Sequence, residues 1–137
     1  MEESLRYKIA LSLLPKIGNN IARSLIAYFG SCEAVLAQPA KQLQKAPGVG
    51  PQIAELVASA NPLKRADEEI AFIQRHHITP LFFLDEAYPE RLKHCADAPI
   101  MLYSRGDAVF RAPRVLSVVG TRNATRYGIE QCQKLIA

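Results

Sequence analysis

Two stretches of the first sixty residues repeat one another at an offset of 32 positions. Leu14-Pro15-Lys16-Ile17-Gly18-Asn19-Asn20-Ile21-Ala22-Arg23-Ser24-Leu25 aligns with Ala46-Pro47-Gly48-Val49-Gly50-Pro51-Gln52-Ile53-Ala54-Glu55-Leu56-Val57, matching Pro, a β-branched residue, Gly, Ile and Ala in register. Repetition of this kind fixes architecture before composition does. In the first copy an amphipathic helix over Leu5–Leu14 is predicted to end at Pro15. In both copies Gly18 or Gly50 leaves the turn free of side-chain hindrance, and a second helix starts at once. Ile21, Ala22 and Leu25 then share one helical face, as do Ile53, Ala54 and Val57, and the small Ala lets two helices approach closely. Each unit reads as a helix-hairpin-helix, and two of them predict a compact five-helix domain over residues 1–60. Between the units Ser31 is placed to cap a short helix, Cys32–Ala37, and Pro39 to open another.

A hairpin of this type leaves backbone N–H groups unpaired at a helix N-terminus, where the helix dipole also favours an anion. Phosphate contact without base readout is the chemistry that follows. Gly48 and Gly50 are the better candidates; Gly18 is the counterpart of Gly50, and Lys16 stands where the second copy has Gly48. The alternative is a pair of hairpins that only packs, or that docks a partner protein.

Beyond the repeat, Asn61-Pro62 predicts a helix start, with Asn61 as N-cap and Leu63, Ala66, Ile70 and Ile73 on the apolar face. This connecting helix covers 61–77, and Arg65 and Glu69 are spaced to pair along it. The hydrophobic period then changes. Ile78–Leu84, Pro99–Tyr103 and Val115–Val119 read as strands, Tyr88–Leu92 as a short helix and Tyr127–Ile136 as a terminal helix. Residues 78–137 therefore read as the start of an α/β arrangement.

Charge separates these regions. The 137 residues carry a net +4, distributed as +2 over residues 1–60, −2 over 61–103 and +4 over 104–137. In the last stretch five of the six basic residues are arginines, whose planar fork suits phosphate. The loop Gly120-Thr121-Arg122-Asn123-Ala124-Thr125-Arg126-Tyr127-Gly128 lies between a predicted strand and helix, the place where open α/β sheets bind ligands. It has neither the G-x-G-x-x-G spacing of a dinucleotide site nor the Gly-Lys-Ser/Thr of a Walker A loop. It offers amide donors, two hydroxyls and two guanidinium groups, which together make an anion cradle. The bland alternative is that Thr125 caps the helix and the arginines face water.

No catalytic constellation is visible. Asp85 and Glu86 are adjacent and would diverge on a regular backbone, and His94 beside Cys95 is not a nucleophile–base pair by adjacency. His76-His77 lacks a third metal ligand nearby. Three cysteines, Cys32, Cys95 and Cys132, lack both disulfide-framework and zinc spacing. No apolar run approaches the ~20 residues of a membrane span. These features predict a reduced, cytoplasmic protein with no cofactor and no membrane association.

The order of these features resembles the DprA (Smf) family of DNA-processing proteins. The resemblance is carried by the hairpin domain, then Tyr88-Pro89-x-x-Leu92, Pro99-x-x-Leu102-Tyr103-x-x-Gly106, and most specifically Val118-Val119-Gly120-Thr121-Arg122-x-x-Thr125-x-Tyr127-Gly128. It implies a SAM-like N-terminal domain followed by an extended Rossmann-like domain that binds single-stranded DNA without base specificity. It further implies a non-enzymatic role in natural transformation and recombination, through loading of the RecA recombinase, and a possible homodimer of the full-length protein. Carried over by position, Gly120, Thr121 and Arg122 line the phosphate site, with Thr125 and Arg126 in the same block. The family's Rossmann-like sheet needs several more strand–helix units, so the sequence reads as an N-terminal portion, with the RecA-contacting region outside it. The competing readings are a helical docking module without DNA binding, and a Rossmann-type enzyme acting on nucleoside monophosphates.

Overall fold

The computed structural model describes residues 2–107 and 109–136. Its first sixty residues hold α1 (Glu2–Ser12), α2 (Asn19–Phe29), α3 (Cys32–Leu36), α4 (Ala40–Leu43) and α5 (Pro51–Ser59). The two hairpins are near-copies in backbone as well as in sequence. Gly18 and Gly50 precede α2 and α5 with matching extended dihedrals, φ −72° and ψ 163° against φ −78° and ψ 169°. Two residues earlier, Lys16 and Gly48 both adopt positive φ, 62° and 79°. The Gly18 and Gly50 carbonyls then accept from Ala22 and Ala54, each at 3.0 Å, and both alanines are buried. The cap at Ser31 forms as its position predicts, its hydroxyl accepting from the Ala34 amide at 3.0 Å.

α6 (Leu63–Arg75) packs on α1 and is fastened there by Arg6, whose Nε and Nη2 donate to the Asp67 carboxylate at 2.6 and 2.8 Å. That guanidinium holds the Asp67 carboxyl below its ordinary pKa. The Arg65–Glu69 pair forms, with Glu68 as a further partner of Arg65. Asn61 is not the cap of this helix. Pro62 takes the boundary position with helical dihedrals, and no side chain caps the first turn.

One core joins the helices. Ile9, Leu11, Leu25, Val35, Leu43 and Val57 fill it, and Phe82, Ile100 and Met101 extend it onto one side of the sheet. Cys32 belongs to this cluster. Burial pushes its thiol up to about 11, Lys8 nearby acting in the opposite sense, so it serves as a small neutral packing group.

β1 (Ile78–Phe82) and β2 (Met101–Arg105) pair antiparallel, with Ile78 opposite Arg105 and Phe82 opposite Met101. Between them lies α7 (Glu90–Lys93), and Tyr88 before it is 1% exposed, its hydroxyl donating to the Pro99 carbonyl at 2.6 Å. That bond ties together the two segments, Tyr88–Leu92 and Pro99–Gly106, that the sequence singles out. Burial raises the Tyr88 pKa, with Arg23 acting against it.

Val115–Val119 is not a strand: the segment has no ladder partner and is exposed throughout. A strand exists only by pairing, and no described segment lies in ladder with this one. No parallel pair is present among the described residues, whose sheet has two strands. α8 (Arg126–Ile136) follows, with Ile129, Leu135 and Ile136 of its apolar stripe exposed.

Candidate nucleic-acid interface

The loop before α8 is built by its own residues. Thr125 is the helix cap: its hydroxyl accepts from the Gly128 amide at 3.2 Å and its carbonyl from the Ile129 amide at 3.0 Å. A Cβ on Gly128 would sit 3.4 Å from that hydroxyl oxygen. Upstream, the Thr121 hydroxyl donates to the Asn123 carbonyl at 3.0 Å and tightens the turn. Arg126 is held along the helix by Glu130, Nε to Oε1 at 3.1 Å, so part of its charge is already matched. Arg122 is exposed and makes no ion pair or hydrogen bond among the described residues. Gly120 has open space where a Cβ would be.

A groove of about 670 Å³ runs from this loop along α8. Its walls include Val119, Ile129, Cys132 and Ile136, and Gly120, Thr121 and Thr125 stand among its polar lining. Arg122 is outside the lining, so an anion reaching it would lie at the groove's surface. The structure thus brings Gly120, Thr121 and Thr125 together, leaves Arg122 beside them as an unpaired cation, and turns Arg126 partly to Glu130.

The two hairpins differ in what occupies them. On the first, the Asn19 side chain accepts from the Ile100 amide and donates to the Asp97 carbonyl, each at 3.2 Å. That end of α2 is therefore stitched to the segment leading into β2. The second copy has Pro51 at the matching position and no such bond, and its Gly48 and Gly50 are exposed. Nearby, Ser24 donates to the Pro47 carbonyl at 2.7 Å and seats the second hairpin against α2. Lys16 is exposed and lies beside Gln52 and Ile53 of α5 in a small cleft.

Sequence reasoning missed the residues that hold the sheet to the helices. Lys8 pairs with Asp85 at 2.8 Å and lies 4.9 Å from the centroid of the Phe82 ring, while the Phe82 amide donates to Asp85 at 2.9 Å. Asp85 is thus a joint rather than half of an acid pair, and its neighbour Glu86 turns to Arg111. The guanidinium of Arg23 stacks 5.1 Å over Phe83. The Lys8–Asp85 and Arg23–Phe83 contacts bridge sixty or more positions, and no local spacing announces them. Among the described residues no three His, Cys, Asp or Glu side chains gather as a metal site, and no helix is long and apolar enough to cross a membrane.

Residues 79–137 match the family model described as DNA recombination-mediator protein A, and residues 8–60 match that of the SAM-like helix-hairpin-helix tandem. The two matches, in this order, fit the N-terminal portion of a DNA recombination-mediator protein A (DprA). Only residues 1–7 and 61–78 fall outside the two matches. The family match begins within β1 and includes the loop and α8; the tandem match holds both hairpins. Together they point to a role related to DNA processing or recombination. No curated protein and no solved structure matches it.

Proposed function

We propose that the chain binds unpaired DNA through its sugar–phosphate backbone at the loop joining Val119 to α8, as a non-enzymatic accessory in DNA processing, natural transformation and recombination. The observation that carries this reading is Arg122, an exposed guanidinium without a partner among the described residues, set between the open Gly120 and the capped start of α8. A phosphate there meets a charge-assisted donor and the positive end of a helix, and neither reads base identity. On this reading the loop and α8 correspond to the start of a Rossmann-like unit, although Val115–Val119 pairs with no strand here. A homodimer and a contact with the RecA recombinase belong to the same reading. Gly48 and Gly50 of the second hairpin are auxiliary phosphate contacts. Gly18 is a weaker candidate because Asn19 ties its hairpin to the segment leading into β2.

Fluorescence anisotropy with a labelled oligothymidylate, titrated with salt, tests this. Arg122→Ala should weaken binding several-fold and flatten the slope of log K against log salt by about 0.7, the share of one phosphate contact on a single strand. Unchanged affinity and slope would remove Arg122 from the interface.

A further inference from the structure

Among the described residues, the buried side-chain nitrogens without a hydrogen-bond partner are Nε and Nη2 of Arg23, on α2. The side chain is half-buried where α2 meets the segments on either side of α7. One turn before it, Asn19 bonds to the Asp97 carbonyl and the Ile100 amide and holds the helix there. The guanidinium carbon lies 5.1 Å from the centroid of the Phe83 ring. That ring face attracts the charge but offers no lone pair to the N–H donors. The Tyr88 hydroxyl, whose pKa is raised by burial against the pull of Arg23, donates to the Pro99 carbonyl instead. No described carboxylate pairs with the guanidinium. Asp85 is taken by Lys8 and the Phe82 amide, Glu86 by Arg111 and Glu90 by Lys93. With Nε and Nη2 enclosed, Nη1 is the nitrogen through which this cation meets its surroundings.

A partly desolvated cation with no counter-ion is costly, and native folds keep few such groups without a reason. An arginine kept only for packing would be served as well by an apolar side chain of the same length. We propose that Arg23 anchors an oxyanion site at the junction of α2 with the Phe83 and Tyr88 segments, and that it takes a phosphate group, free or at the end of a strand, through Nη1. A carboxylate gripped by both prongs of the fork needs two open nitrogens, and here two of the three are enclosed. A phosphate monoester instead brings nearly two negative charges to a single contact. The site uses none of the residues of the loop before α8, and the inference does not depend on that loop binding DNA.

The enclosed Nε makes the test direct, because its proton exchanges slowly with water and gives a side-chain signal in nitrogen-edited magnetic resonance. Arg23→Met, which keeps the length of the stem and removes the charge, assigns that signal by its loss. At fixed ionic strength the signal should shift with inorganic phosphate, with a midpoint of about 1 mM for one charge-assisted contact. The thermal midpoint of the unaltered chain should rise over the same titration, and that of Arg23→Met should not. An Arg122→Ala background should leave both responses intact. Comparing 5′-phosphorylated with 5′-hydroxyl oligothymidylate identifies the source: a shift with the first alone assigns strand ends, and a shift with inorganic phosphate but neither strand assigns the free ion. A signal unmoved by inorganic phosphate, an equal shift with acetate, or an equal rise in the midpoint of Arg23→Met would each overturn the inference.

Discussion

The body formed by α1–α6 with the sheet and the segment from Val115 to α8 are opposites in how they spend their apolar residues. In the first, Leu25 is 0% exposed and Tyr88 1%. In the second, Val119 is 92% exposed, and the stripe of α8 faces an open groove. The body also matches much of its charge internally, through Arg6–Asp67, Lys8–Asp85 and Arg65 with its two glutamates. The loop leaves Arg122 unmatched. Where packing and pairing are complete a region serves as scaffold; where they are left open on both counts, surface is available for a ligand.

The contrast breaks most sharply under truncation. Leu25→Ala should cost about 2–5 kcal/mol, the usual penalty for emptying a buried leucine site, whereas Val119→Ala should change stability by less than about 0.5 kcal/mol. Urea denaturation followed by circular dichroism reads both. Equal costs would mean that the segment is packed as tightly as the body.

A smaller effect sharpens the comparison within the tandem. Lys16 holds a left-handed conformation that its counterpart Gly48 adopts without a side chain to strain. Lys16→Gly should raise stability by up to about 1 kcal/mol, the relief of strain being partly offset by the freer unfolded chain. A loss of stability would show that the Lys16 side chain does more for the fold than its backbone costs.

Much of the body was legible because its signals are local. Gly18 and Gly50, Ala22 and Ala54, and the Ser31 cap are each read from residues within one turn of themselves. What escaped depends on distant partners. Asn19 bonds to Ile100 and Lys8 to Asp85 across most of the chain. Val115–Val119 has the composition of a strand, yet composition cannot supply a neighbouring ladder. At the loop, the family-like block singles out Gly120, Thr121 and Thr125, which line one groove. Arg126 and Glu130 have the same i,i+4 spacing as Arg65 and Glu69, so this pair was legible and was missed.

The most direct test of the central claim is amide shift mapping of the isotopically labelled chain during titration with oligothymidylate. Phosphate binding at the loop predicts that the amides of Gly120, Thr121 and Arg122 move in step with saturation. Shifts confined to residues 8–60, with those three amides unmoved at full saturation, would contradict it.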